Sequence, residues 1–180
     1  MSDENEFEQG DAGSSITELA EAGRMKPGSL IIMKDQYPCK VTAFSTAKPG
    51  KHGSAKAMIT AKDIFTDKQY DETFGTGDMI PRPIVKKIEL QCINIDDEDF
   101  LQLLQDDGEL KEDLKLPTES HLSDVAQRIR AIFEAGTKEC LVQYQEWGEK
   151  AQVVAVREGN EIWENEDVAG QMLSATVRIC

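Results

Sequence analysis

Short β-type runs, apolar or mixed in composition and separated by turns, fill the chain from Met25 to about Ile84. Ser29–Met33 and Lys40–Ser45 read as strands, and so does the longer stretch Ala55–Phe65, with Met58, Ile59, Ile64 and Phe65 as apolar positions. Thr66-Asp67-Lys68 turns that stretch into Gln69–Phe74. Closely spaced strands with few windows of helical period predict a small, closed or half-open β-barrel over residues 21–84. Asp78-Met79-Ile80-Pro81-Arg82-Pro83 then stops the pattern. Prolines supply no N–H to a central ladder, so this segment is expected to be an extended connection between domains.

A second pattern follows. Lys87–Ile95 alternates as a half-buried strand, and Asp96-Asp97-Glu98 turns it into Phe100–Leu104. Asp107-Gly108 is a hairpin signal leading into Leu110–Leu116, which Pro117 closes. Leu122, Val125, Ile129, Ile132 and Phe133 recur at three- and four-residue spacing, predicting one helix over about 122–135 with Gly136 as its C-cap. Strands near Glu139–Gln145 and Gln152–Arg157, joined by Trp147–Lys150, complete the order strand-strand-strand-helix-strand-strand. That is the order of an OB-fold, expected over residues 85–158. Residues 1–20 read as a disordered acidic tail. Residues 159–180 form an extension of unassigned structure, in which Val168, Met172, Leu173 and Thr176 have the spacing of a short amphipathic helix. The fold class expected is mainly β.

Composition changes the picture through the placement of charge. The 180-residue chain has a net charge of −14, yet residues 1–20 contribute −6, residues 21–84 contribute +3 and residues 85–180 contribute −11. Phosphate contacts need local positive potential, so any RNA contact is expected at the middle third. The cysteines at 39, 92, 140 and 180 are widely spaced and only His52 and His121 supply imidazoles, an arrangement that argues against zinc. With no leader-like or long apolar run, a reduced cytoplasmic setting is expected.

The basic third has a focus. Between Asp35 and Asp63 the chain holds no acid, only Lys40, Lys48, Lys51, Lys56 and Lys62 with His52. Between two strand-like runs lies Ser45-Thr46-Ala47-Lys48-Pro49-Gly50-Lys51-His52-Gly53-Ser54-Ala55-Lys56. Gly50 and Gly53 are expected to take positive φ so that the chain reverses around Lys51 and His52, and Pro49 stiffens the approach. Lys51 is thereby projected at a hairpin tip.

That stretch resembles the signature of the eukaryotic and archaeal translation factor 5A family, relatives of bacterial elongation factor P. The similarity extends at lower identity from about Met25 to Arg157, through Asp63-Ile64-Phe65-Thr66 and Leu103-Leu104-Gln105-Asp106-Asp107-Gly108-Glu109. It stops short of the last two dozen residues. The resemblance implies an SH3-like barrel followed by an OB-fold. It also implies that Lys51 is converted to hypusine, deoxyhypusine synthase adding the aminobutyl part of spermidine and deoxyhypusine hydroxylase completing the residue. No bound cofactor is implied. The implied work is at the ribosome during elongation, with termination kept open. The modified tip would reach toward peptidyl-tRNA and ribosomal RNA and relieve stalling at consecutive prolines. Lys48, Pro49, Gly50, His52, Gly53 and Lys56 would form the contacting loop around Lys51. Neither a membrane nor DNA is an expected partner.

Three other readings are weaker. A phosphate-binding P-loop requires Ser or Thr after the lysine and a helix downstream, whereas His52 and a strand follow here. A general single-stranded RNA-binding barrel is the alternative function, but aromatic residues make up only 6% of the chain and offer little stacking surface. An enzyme would need a nucleophile–base pair, and none is evident. The chain reads as a substrate of enzymes.

Overall fold

The computed structural model describes residues 15–162, which divide between Val85 and Lys86 into two compact units. The first contains β1 (Thr17–Glu21), a 3-10 turn (Ala22–Arg24), β2 (Leu30–Met33), β3 (Tyr37–Ala47), β4 (Lys56–Asp63), β5 (Gln69–Gly75) and β6 (Met79–Pro83). β2, β3, β4 and β5 form an antiparallel sheet in that order, and β1 pairs with β6. Alternation sets the core: Ala57, Ile59 and Ala61 on β4 point inward to meet Ile31, Met33, Val41 and Ile80. Full burial of each large side chain contributes about 1.5–3 kcal/mol. Asp63 continues the inward alternation and is satisfied where it stands, its carboxylate accepting the N–H groups of Phe65 (2.7 Å) and Thr66 (3.2 Å).

One irregularity shapes this unit. Val41 faces Ala61 but Ala43 faces Thr60, so Thr42 is an extra residue on β3. Its hydroxyl donates to the Thr60 carbonyl at 3.2 Å. A bulge of this kind bends the strand and raises its twist. Beyond it, Ala43–Ala47 contains no buried residue, while its β4 partners Ile59 and Ala57 stay in the core, so the hairpin is clear of the core only past Ala57.

Two expectations for this unit are corrected. Thr17–Glu21 is a strand, so residues 15–20 do not belong to a disordered tail; residues 1–14 lie outside the described range. Met79–Pro83 is likewise a ladder strand and not a bare connection. The prolines are tolerated because this ladder has two strands. Ile84 N–H donates to Ile16 C=O at 2.8 Å, which puts the even-numbered donors on the β1 side. The donorless nitrogens of Pro81 and Pro83 therefore face away from the ladder.

The second unit holds β7 (Lys86–Ile95), β8 (Phe100–Leu104), β9 (Leu110–Lys115), α1 (Ser123–Ala135), β10 (Lys138–Trp147) and β11 (Lys150–Glu161). The antiparallel sheet runs β11-β10-β7-β8-β9, and its edge strands β9 and β11 approach each other. Ile129 and Ile132 bury the inner face of α1, and Gly136 ends the helix at φ 63° with its N–H on the Ile132 carbonyl. β11 extends to Glu161, past the expected limit at Arg157; residues 163–180 are outside the described range.

The described cysteines are core fillers. Burial, and then the nearby Asp63, push the Cys39 thiol up to about 12. Cys92 and Cys140 face each other across β7 and β10, and the Cys140 contact together with burial raises the Cys92 thiol well above its ordinary range.

Candidate functional site

The β3–β4 arm carries the basic segment outward. Ala47 pairs with Lys56 as the last rung, and Lys48–Ala55 forms the loop beyond it. Lys48, Pro49, Gly50, Lys51 and His52 are all exposed, as is Lys56 at the start of β4; Gly53 is half-buried. Six of the expected residues thus share one loop and Lys56 stands at its foot.

The two loop glycines serve different purposes. Gly50 adopts φ 75°, a left-handed conformation that costs residues with a Cβ. Gly53 does not take positive φ, contrary to expectation. A Cβ there would overlap the Pro49 carbonyl oxygen, so glycine is needed for close approach as the loop folds back on itself.

The tip's charges are left open to solvent. Among the described residues, no ion pair engages Lys48, Lys51 or Lys56. Neighbouring carboxylates are occupied elsewhere. Asp71 accepts the Thr60 hydroxyl, Glu72 accepts Lys34 N–H at 2.9 Å and Asp78 accepts Gly75 N–H at 2.7 Å. Lys62 is paired with Asp67 at 3.1 Å. Lys40 and Lys62 face each other across the ladder six residues below Lys56, about 20 Å along the strand, and do not belong to the tip.

Residues that the sequence reading missed lie at the loop's foot. Thr76 N–H donates to Ala55 C=O at 3.0 Å, tying the returning end of the loop to the β5–β6 turn. The composition Gly75-Thr76-Gly77-Asp78 signals a turn, but not what that turn touches.

The arrangement has one chemical capacity. It presents a primary amine on an exposed loop, amid unpaired cations, on a β scaffold. Among the described residues, no three His, Cys, Asp or Glu side chains converge to hold a metal ion.

Residues 15–77 match the family described as "Translation initiation factor 5A-like, N-terminal", and residues 84–157 match "Eukaryotic elongation factor 5A hypusine, DNA-binding OB fold". The chain is 38% identical over 156 residues to eukaryotic translation initiation factor 5A-3 of Arabidopsis thaliana, covering 87% of this chain and 96% of that one. It is 39% identical over 158 residues to the Zea mays factor 5A, with the same shares covered, 87% and 96%. A solved translation initiation factor 5A family protein from Naegleria fowleri superposes with a TM-score of 0.72 at 37% identity, covering 79% of this chain and 99% of that one. With both units matched and relatives aligned over nearly their full length, the chain belongs to the eukaryotic translation initiation factor 5A family.

Proposed function

We propose that Lys51 is the residue that carries hypusine, and that its loop is the part of the molecule offered to peptidyl-tRNA and ribosomal RNA. Family membership makes the chain a translation factor acting at the ribosome through a hypusine-modified lysine, not an enzyme and not the holder of a bound cofactor. The observation that favours Lys51 is its place among exposed, unpaired cations in the loop beyond the last rung of the β3–β4 hairpin.

The physical consequence follows from length and charge. Adding an aminobutyl group extends the side chain by roughly 6 Å and supplies a second ammonium. A hydroxyl on the extension adds a hydrogen-bonding group. Such an arm follows a sugar–phosphate track beyond the reach of lysine, which is a single point charge. Lys48, His52 and Lys56 contact phosphate and set register without reading sequence. Peptide-bond formation at stalled sites such as consecutive prolines is then helped by holding the acceptor end in reactive geometry, an orientation effect worth several kcal/mol. Deoxyhypusine synthase and deoxyhypusine hydroxylase are the modifying partners in this reading, and the cytoplasm is its setting.

The test is peptide mass spectrometry on protein purified from its native cells, paired with Lys51→Arg. The expected result is an aminobutyl-plus-hydroxyl mass at Lys51 and loss of proline-run synthesis in the variant with folding intact. Plain lysine at this position in an active native preparation would overturn the assignment.

A further inference from the structure

The Lys48–Ala55 loop is long, exposed and cationic, and nothing in its own composition explains how it is aimed. The answer lies in the turn between β5 and β6. Thr76 sits at the centre of a stack of three backbone segments. Its N–H donates to Ala55 C=O at 3.0 Å, above it; its carbonyl accepts Gly23 N–H at 2.7 Å, below it. Ala22 N–H donates to Asp78 C=O at 2.8 Å, so the 3-10 turn grips this segment twice. Ala22 itself is fully buried in the core of the first unit. The chain of contacts therefore runs from core to 3-10 turn, to Thr76, to the foot of the loop.

The shape of the β5–β6 turn rests on Asp78. Its carboxylate accepts Gly75 N–H at 2.7 Å, and its own N–H donates to Gly75 C=O at 3.0 Å, closing a four-residue turn. A side chain at Gly75 would press on this carboxylate, its Cβ lying 2.8 Å from the nearer oxygen. At Gly23 a Cβ would lie 2.8 Å from the Thr76 carbonyl oxygen. Both glycines thus permit approaches that larger residues would push apart, and these approaches converge on Thr76, whose N–H ties the returning end of the loop.

We propose that the Gly75–Asp78 turn is the footing that aims the modified-lysine loop, with Asp78 as its positioning residue acting through Thr76. Asp78 touches neither Lys51 nor its partners in this account. It holds the turn so that Thr76 N–H points at Ala55, which fixes the returning end of the loop and narrows the directions that Lys51 can take. A loop aimed in advance loses less freedom on docking, so its effect belongs in the apparent affinity for whatever receives the loop. The inference rests on Lys51 being the modified residue for its functional consequence, but its structural content stands apart from that assignment.

The experiment uses the full chain, with Asp78→Ala and Asp78→Asn beside the parent. Two measurements are made: backbone ¹⁵N relaxation across Gly50–Gly53, and steady-state modification by purified deoxyhypusine synthase with spermidine. Asp78→Ala is expected to loosen the loop and to raise the KM for the protein substrate about tenfold, with kcat changed less than about twofold. Asp78→Asn keeps an oxygen acceptor for Gly75 N–H and is expected to restore both readouts. Unchanged relaxation and KM in Asp78→Ala would overturn the proposal, and so would equal impairment in both variants, which would show that charge and not the hydrogen bond matters. If Asp78→Ala does not fold, amide exchange in the parent decides: Thr76 N–H must be protected well beyond the Lys51 and His52 amides, and an unprotected Thr76 would sink the idea. Lys51→Arg separates the two assignments. It should abolish modification while leaving loop relaxation unchanged, and modification persisting in that variant would refute the Lys51 reading alone.

Discussion

Two hairpins in this protein make a useful contrast. The one between β8 and β9 is closed over itself. Gln105 N–H donates to Glu109 C=O at 2.9 Å, Gly108 N–H to Gln105 C=O at 3.0 Å, and Glu109 N–H to the Asp107 carboxylate at 2.9 Å. Its tip carries Asp106, Asp107 and Glu109. The one between β3 and β4 is longer, holds no acid, and takes a backbone hydrogen bond at its foot from Thr76, outside the hairpin. A turn that satisfies its own polar groups behaves as punctuation between strands. A loop that depends on a neighbour for its aim and leaves its cations unpaired is free to offer them to a partner.

The largest expected difference between the two comes from a charge-conserving exchange on each. Lys51→Arg should reduce synthesis through proline runs on the order of 100-fold, since the reactive ends lose their positioning. Lys115→Arg, at the end of β9 where the ammonium lies 4.1 Å from the Phe100 ring centroid, should leave that synthesis unchanged. Equal effects in a translation reporter would erase the distinction. Next in size is truncation of the core on β4, within the arm itself. Ile59→Ala should cost about 2–5 kcal/mol in denaturant unfolding, because this side chain is only 1% exposed and its removal leaves a cavity.

A matched pair of glycine substitutions sharpens the contrast further. Gly50 and Gly108 both adopt positive φ, 75° and 86°. Alanine at either is expected to cost about 1 kcal/mol of local strain. In Gly108→Ala the cost should appear as lost stability with modification unaffected. In Gly50→Ala it should appear mainly as slower modification of Lys51, the loop relaxing into another shape with little change in melting.

The smallest effect concerns pH and lies away from both tips. Arg157 hydrogen-bonds Glu89 across the second sheet and holds its carboxyl below the usual carboxylate range. A depressed native pKa means that the pair stabilises the fold at neutral pH and that this contribution disappears as pH falls through the depressed value. Both groups are largely in solvent, so the pair's contribution is screened and small. Arg157→Ala should therefore flatten slightly the acid limb of stability against pH, as urea melts at several pH values would reveal.

Much of this architecture can be read from residue order. Alternation in Lys87–Ile95, the Asp107-Gly108 signal and the period of Leu122–Phe133 each report local backbone preference, and local preference is what sequence pattern encodes. The exposed loop with Lys51 was legible for the same reason, since a run without acids between two strand patterns needs no tertiary partner to be noticed. Pairing between distant segments was not legible. Pro81 and Pro83 argue against a central strand, yet β1 supplies a ladder in which their missing donors face outward. Likewise Gly53 suggested a turn angle, whereas close approach to Pro49 is what requires it.

The linear chain by itself determined a mainly β protein with a cationic, amine-bearing arm on an otherwise acidic body. Only the tertiary structure decided that Thr42 is an extra residue on β3 and that Thr76, twenty-one positions after Ala55, steadies the loop. Composition and periodicity record what each residue prefers alone. Where an unpaired N–H finds its acceptor depends on which segments the folded core brings together.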